Sequence, residues 1–169
     1  GAGKLAEATK TAGASAFVHI SAIGADDHSA SEYGRTKGEG EQAVRTAFPS
    51  ATIIRPSVVF GPEDNFTNRF AGLARFAILP VIAPRTRFQP VFVRDLGSAI
   101  AAAALDPRTH GDKIYELAGP EVLTMRELNA EIARLAGQDP QLVDMPDFVG
   151  GMISMFGFLP GAPLTGDQW

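Results

Sequence analysis

Cysteine is absent from the 169 residues of the chain, which excludes a disulfide framework and any cysteine-based metal site. Histidine is scarce: His19, His28 and His110 are widely separated and do not form a metal-ligand spacing. Each is interpreted as an ordinary strand, loop or turn residue. We therefore predict no metal site.

An excess of positive charge is also absent. Lysine and arginine number 15 against 19 aspartate and glutamate residues, which gives a net charge of −4 with no long run of one sign. A nucleic-acid-binding protein normally carries a basic stripe, so this class of protein is disfavoured. A chain of this length can bury a sizeable core, and the composition is that of an enzyme-like domain.

Long apolar runs are missing as well. No stretch reaches the roughly 18 apolar residues that a transmembrane helix needs, so no membrane span is expected. The nearest is the segment 148–159, which at twelve residues is too short to cross a bilayer. Two interpretations of this segment remain open. It covers the core of a small lobe, or its Met and Phe side chains form a surface for peripheral docking.

Tyr33 and Lys37 lie four residues apart near the start of a predicted helix, where Ser29 as N-cap and Glu32 three residues later indicate a capping box. A spacing of four places both side chains on one helix face. An ammonium group this close favours the phenolate, which makes Tyr33 a candidate general acid or base for a carbonyl or alcohol. The same spacing also occurs by chance on surface helices.

Short apolar runs at 16–21 and 51–55 flank this helix and are typical of buried parallel strands. The order of helix, strand, helix and strand predicts right-handed βαβ units and a parallel sheet. Ligands of such sheets bind beyond the carboxyl ends of the strands, where Ser21 and the segment 56–62 lie. Further helices are predicted at 4–12, 65–79, 96–105 (capped by Asp95) and 125–136 (capped by Thr124 with Glu127), and further strands at 90–93, 113–117 and 141–144.

Several of these segments carry a family resemblance. The motif Tyr33-x-x-x-Lys37, followed by Ile-Arg-Pro-Ser-Val-Val-Phe-Gly-Pro at 54–62, resembles the extended short-chain dehydrogenase/reductases. More narrowly, the chain is similar to an atypical branch that holds subunit nine of the NADH:ubiquinone oxidoreductase alpha subcomplex and its bacterial relatives. The segments that support this narrower resemblance are 19–25, 55–66, 88–93, 115–124 and 163–168.

The resemblance implies an α/β fold, namely the C-terminal part of a Rossmann-like, doubly wound parallel sheet together with a small α/β substrate lobe. Residues 1–62 are expected to belong to the nucleotide-binding domain and 63–169 to the lobe, with an interleaved return to the sheet. Family members open with a Gly-rich turn that cradles the dinucleotide pyrophosphate, and Gly1-Ala-Gly3 does not complete that pattern. We therefore expect a fragment that holds the nicotinamide-side contacts of NAD(P)(H), without the full cofactor site.

By the same resemblance, Lys37 bridges the nicotinamide ribose hydroxyls and Ser21 hydrogen-bonds the substrate oxygen beside Tyr33. The alternatives are a solvated lysine and a serine that satisfies the backbone at the strand end. Gly34, Gly38 and Gly40 suggest that either the sheet or a ligand passes close to this helix. Residues expected to line the nicotinamide pocket are Ala22, Pro56, Ser57, Val58 and Val59. The alternative for the segment 56–59 is a simple turn that ends the strand.

Arg87 occupies the position at which related sugar-nucleotide epimerases bind substrate phosphates, although the residues after it depart from their pattern. Two functions remain open. One is a cofactor-binding assembly or stability subunit of the complex I type, with NADPH slightly preferred and respiratory complex I subunits as partners. The other is an active NAD(P)-dependent oxidoreductase or epimerase, in quinone or sugar metabolism. The expected location is the bacterial cytoplasm or the cytoplasmic face of the inner membrane, or the mitochondrial matrix in a eukaryote.

Overall fold

The structure, a computed structural model, describes residues 1–146. Both interpretations of the segment 148–159 therefore concern residues outside the described range. In chain order the helices and strands are α1 (Ala2–Thr11), β1 (Val18–Ile20), α2 (Glu32–Ala47), β2 (Thr52–Pro56), β3 (Val59–Phe60), α3 (Asn65–Leu73), β4 (Ile78–Val81), β5 (Arg87–Phe88), β6 (Val91–Phe92), α4 (Val93–Leu105), α5 (Pro107–His110), β7 (Ile114–Leu117), β8 (Leu123–Thr124), α6 (Met125–Leu135) and β9 (Gln141–Asp144).

The first of two compact units contains Gly1–Val58 and Val91–Gly119. Its sheet has the strand order β1-β2-β7, and both pairs of strands are parallel, with Ile53 beside His19 on one side and Ile114 on the other. Helices α1 and α2 pack together, and their apolar side chains meet those of β2. The predicted α/β class with a parallel sheet is confirmed. The core of this unit is formed by Ala6, Val44, Phe48, Ala51 and Ile53.

The second unit contains Val59–Pro90 and the chain from Pro120 onward. Strands β4 and β9 form a parallel ribbon, and helix α6 packs against it. Strands β5 and β8 pair antiparallel. The capping box predicted for α6 is confirmed: the Thr124 hydroxyl accepts a hydrogen bond from the Glu127 amide, and the Glu127 carboxylate accepts one from the Thr124 amide.

The predicted start of α2 was wrong by two residues. The N-cap is Ser31, whose hydroxyl accepts a hydrogen bond from the amide of Gly34 at 3.3 Å. The hydroxyl of Ser29 instead accepts one from the amide of Ser31 at 3.2 Å. Serines at 29 and 31 compete for the same role, and the one that adopts extended backbone geometry directly before the helix caps it.

Two further helix boundaries differ from the prediction. Helix α3 ends at Leu73 and does not continue to 79, because 78–81 form the strand that pairs with β9. A short apolar run suits a helix and a buried strand equally, and the partner strand decides between them. Helix α4 begins at Val93, directly after β6, so Asp95 lies in its first turn and does not cap it. Within residues 1–146, no helix has the length and apolar character needed to cross a bilayer.

Candidate functional site

The carboxyl ends of the three parallel strands lie at one edge of the first unit's sheet. The amide of Ser21 donates to the carbonyl of Ile54 at 2.7 Å, and the amide of Ser57 donates to the carbonyl of Leu117 at 2.8 Å. These bonds continue the ladder one residue past β1 and β2. Ser21, Pro56 and Ser57 therefore lie together at the edge where parallel sheets bind ligands.

Tyr33 and Lys37 occupy one face of α2. The ammonium nitrogen of Lys37 lies 5.5 Å from the centroid of the Tyr33 ring, a distance at which a cation is attracted to an aromatic face. Tyr33 is 46% exposed, while Lys37 is half-buried. The pair predicted from the spacing is thus formed, and its phenol is accessible from solvent in the described part of the chain.

The glycines of α2 have an explanation that the sequence did not suggest. A Cβ on Gly38 would lie 2.2 Å from the amide nitrogen of Asp27, and one on Gly34 would lie 2.7 Å from the Ser29 hydroxyl. The loop that follows β1 therefore crosses α2 at these two positions, in place of the sheet or ligand that we had considered. Gly40 is different, because its nearest neighbour would be the His19 ring at 3.9 Å.

A buried ion pair joins α2 to β2, and no sequence motif had drawn attention to it. Glu41 is 5% exposed, and its carboxylate accepts two hydrogen bonds from the Arg55 guanidinium, at 2.9 and 2.8 Å. The guanidinium also lies 3.6 Å from the exposed carboxylate of Glu116 on β7. Burial acts to raise the pKa of Glu41, but the hydrogen bonds and charge of Arg55 outweigh it and hold that pKa below its ordinary value.

Ser21 lies beside this ion pair. It is 4% exposed, and its hydroxyl oxygen has no complete hydrogen bond within residues 1–146. The hydroxyl is nevertheless near enough to the Glu41 carboxylate to contribute to the lowering of the pKa of Glu41. Ser21 is therefore a close neighbour of the Glu41 carboxylate. The structure thus connects Ser21 with Glu41 and the strand-end backbone.

His19 on β1 faces the same part of α2. Burial lowers the pKa of His19, the charge of Glu41 acts to raise it, and the charge of Lys37 acts to lower it further. The imidazole therefore lies within electrostatic reach of both α2 side chains, and its pKa lies below its ordinary value. Sequence reasoning had treated His19 as an ordinary strand residue. The sequence offered one signal for this cluster: Lys37 and Glu41 are four residues apart, so their side chains share one face of the helix.

The remaining predicted residues occupy several places. The carbonyl of Ala22 accepts from the amide of Ala25 in a turn after β1, at 3.2 Å. Val58 is half-buried in the first unit, and its carbonyl accepts from the amide of Val91 at 2.9 Å. Val59 begins β3 in the second unit.

Arg87 also belongs to the second unit, where it is exposed on β5 opposite Thr124. Hydrogen bonds from Thr124 and, more weakly, the charge of Arg87 lower the pKa of Glu127. Among residues 1–146, no group of three or more metal-ligating side chains converges.

Comparison with known families and proteins agrees with this geometry. Residues 24–147 match the model of the RmlD substrate binding domain. The chain is 37% identical over 164 residues to the rat protein named NADH dehydrogenase [ubiquinone] 1 alpha subcomplex subunit 9, mitochondrial, covering 95% of this chain and 43% of that protein. It is 32% identical over 168 residues to a ceramide reductase of Caulobacter vibrioides, covering 96% of this chain and 52% of that protein. The resemblance to the subunit-nine branch is confirmed.

Solved structures show the same fold. A dTDP-4-dehydrorhamnose reductase from Bacillus anthracis, crystallised in complex with NADP, superposes with a TM-score of 0.76 at 20% identity, over 98% of this chain and 67% of that one. The Rossmann-like character predicted for the sheet is confirmed by this likeness. The chain spans less than half the length of the mitochondrial relatives that it matches.

Proposed function

The chain belongs to the RmlD substrate binding domain family, and on that premise we propose that it supplies the nicotinamide-side contacts of an NAD(P)(H) site. The observation that carries this proposal is the Tyr33–Lys37 pair, with the Lys37 nitrogen 5.5 Å from the ring centroid. It lies on a helix that follows the first strand of a parallel sheet, and ligands of such sheets bind beyond the strand ends.

The residues present are chemically suited to a dinucleotide. Lys37 offers three N–H donors to ribose hydroxyls, and Tyr33 offers a hydroxyl that is both donor and acceptor. The buried hydroxyl of Ser21, which lacks a complete hydrogen bond, is a further donor at the strand edge. Lys37 and Tyr33 would hold the nicotinamide ribose, and Pro56, Ser57 and Val58 would line the ring, with Ala22 beside Ser21.

The function that we propose first is cofactor binding in an assembly or stability role of the complex I subunit-nine type. The 37% identity to the rat subunit, over 95% of this chain, supports it. In this role NADPH is bound as a structural ligand, and the partners are respiratory complex I subunits. The protein would act at the cytoplasmic face of a bacterial inner membrane, or in the matrix of a mitochondrion.

The second candidate is an active NAD(P)-dependent reductase. The exposure of the Tyr33 phenol favours it, because a general acid must be reachable by a substrate, and so does the 32% identity to the ceramide reductase. The cofactor would supply hydride. Tyr33 would donate its proton to the carbonyl oxygen of the substrate, with the Lys37 ammonium beside its ring.

The test uses the full-length protein with Tyr33→Phe, Lys37→Met and, as a control, Arg45→Gln on the same helix. We expect Lys37→Met to weaken NADPH binding about 10- to 100-fold, the loss of one or two charge-assisted hydrogen bonds. Arg45→Gln should leave the affinity unchanged. Unchanged NADPH affinity in Lys37→Met would contradict the proposed site.

Tyr33→Phe separates the two candidate functions. The assembly role predicts that respiratory-complex integrity on native gels and NADPH affinity both persist in this variant. The reductase predicts loss of turnover with an unaltered complex, because removal of a general acid acts on the chemical step. The two roles differ in turnover, which the parent protein shows and Tyr33→Phe loses only if the protein is a reductase. Measurement of turnover, with affinity and complex integrity as controls, therefore decides between them.

A further inference from the structure

The side chain of His19 lies on the face of the sheet that packs against helix α2. In the parallel pairing of β1 with β2, His19 is in register with Ile53, and residues in register on neighbouring strands point to the same face. Ile53 belongs to the core cluster that contains Val44 of α2, so this face is turned toward the helix. His19 itself is half-buried.

The imidazole meets the helix at Gly40, where there is no side chain to displace it. A Cβ on Gly40 would have the Nε2 atom of His19 as its nearest neighbour, at 3.9 Å, which is an ordinary van der Waals distance. Lys37 is three residues before Gly40 and four residues before Glu41, so the three positions share one side of α2. The ring thus lies close to an ammonium group and to a carboxylate of the same helix.

Both charges act on the imidazole. Burial lowers the pKa of His19, the charge of Glu41 acts to raise it, and the charge of Lys37 acts to lower it. Within residues 1–146, these are the two charges to which the pKa of His19 responds. The charged residues of the neighbouring elements β2 and α4 are Arg55, which binds Glu41, and Arg94 and Asp95 in the first turn of α4.

Glu41 and Lys37 differ in their freedom to move. The carboxylate of Glu41 is buried and is fixed by two hydrogen bonds from Arg55, at 2.9 and 2.8 Å. Lys37 is half-buried, and its ammonium group is carried by a flexible four-carbon chain to a place 5.5 Å from the centroid of the Tyr33 ring. A positive charge on His19 would therefore leave Glu41 where it is, whereas Lys37 would be repelled and can withdraw.

We propose that His19 is a proton-dependent positioning residue for Lys37. With a neutral imidazole, the ammonium group stays beside the Tyr33 ring, where it can bind the cofactor ribose. With a protonated imidazole, the ammonium group is repelled from this place and the affinity for NADPH falls. This inference rests on the proposed function, because it concerns the regulation of the same site. Since burial lowers the pKa of His19 from 6.5, the imidazole becomes mostly protonated only below that pH.

The test measures the affinity of the full-length protein for NADPH by isothermal titration calorimetry at about pH 7.5 and about pH 5.5. The ratio of the two dissociation constants is compared between variants, because titration of the cofactor's own phosphate affects all of them equally. We expect affinity to fall about three- to tenfold more in the parent than in His19→Gln, the effect of one partly exposed charge pair. Equal ratios in these two proteins would overturn the proposal.

The control is His28→Gln, which removes an imidazole from the loop after β1. The side chain of His28 is 90% exposed, so this variant should keep the ratio of the parent. A ratio lowered as much as in His19→Gln would refute the specific role of His19.

Lys37→Met shows whether His19 acts through the lysine. In this background, the additional change His19→Gln should no longer alter the ratio, and an undiminished effect would contradict the positioning role. Lys37→Met alone also separates the two proposals. If its affinity at the higher pH is unchanged, the proposed cofactor site fails, and the role of His19 fails with it. If its affinity is weakened while the parent and His19→Gln have equal ratios, only the role of His19 fails.

A second measurement on the parent protein does not depend on how the variants fold. Binding and protonation are linked reciprocally, so if a protonated His19 weakens NADPH binding, saturating NADPH must lower the pKa of His19 further. Titration of the histidine ring resonances by NMR, with and without NADPH, measures this change. A pKa that stays the same or rises when NADPH is bound would rule the proposal out.

Discussion

Helix α2 presents two faces that differ in almost every physical respect. One carries Tyr33 and Lys37, partly open to solvent and joined by a cation–aromatic contact. The adjoining side carries Gly34, Gly38 and Glu41, all buried, with a loop against the two glycines and an ion pair from the Glu41 carboxylate to Arg55. Neighbouring residues therefore have different roles: Tyr33 and Lys37 belong to the candidate site, whereas Gly34 and Gly38, each one position later, belong to the internal packing of the first unit.

This difference shows how the helix is positioned. The packed face leaves α2 little freedom, since the glycine contacts and the ion pair set its distance from the loop and from β2. The phenol and the ammonium group are carried by the same helix. Function is expected to depend on both faces, but stability should depend mainly on the packed one.

The largest effect is expected for Arg55→Leu. This substitution leaves the carboxylate of Glu41 buried without its partner, which should lower the free energy of unfolding by about 3–5 kcal/mol. The control is Arg45→Leu, which breaks the exposed pair of Arg45 with Asp112 and should cost less than about 1 kcal/mol. Urea denaturation followed by circular dichroism measures both. If both variants lost a similar amount of unfolding free energy, the buried ion pair would not stabilise the protein more than the exposed one.

Next comes Gly38→Ala, with Gly40→Ala as its matched control in the same helix. A Cβ at 38 would collide with the backbone of the loop at 2.2 Å, and such overpacking should destabilise by about 1–3 kcal/mol. A Cβ at 40 finds its nearest atom at 3.9 Å, so this variant should be stabilised by about 0.5–1 kcal/mol through its better helix propensity. Thermal unfolding of both variants checks the expected opposite signs.

A smaller effect is expected from His19, and it depends on pH. The pKa of His19 is lowered from 6.5 in the folded protein, mainly by burial, so the unfolded chain binds a proton more readily. Stability from this group is present above pH 6.5 and is lost as the pH falls below it. We expect the His19→Gln variant to lose less stability than the parent protein as the pH falls from 6.5 to 4.5. Below pH 4.5 the protonation of Glu41 also reduces the stability, so the comparison is limited to this range. Parallel curves of melting temperature against pH would show that His19 is not the cause.

The smallest effect on stability is expected for Tyr33→Phe. The side chain is 46% exposed, and its ring remains available to Lys37 after the hydroxyl is removed. The free energy of unfolding should stay within about 0.5 kcal/mol of the parent. Urea denaturation measures it, and a loss as large as that of Gly38→Ala would place Tyr33 in the packing of the unit.

Much of the architecture could be predicted from local patterns. The parallel sheet, the capping box at Thr124 and the strand at β9 all follow from periodicity and capping chemistry within a few residues. The end of α3 could not be predicted, because 78–81 is helical or extended depending on a partner more than 60 residues away. The cap of α2 was misplaced because two serines satisfy the same local rule.

The sequence by itself determined which side chains share a face of α2, because a spacing of four residues in a helix admits one outcome. It thereby placed Tyr33 beside Lys37, and the motifs around that pair led to the family. Only the tertiary structure decided that Glu41 meets Arg55 and that a loop covers Gly34 and Gly38. Those contacts depend on how the loop and β2 pack against the helix, which the periodicity of the helix does not specify.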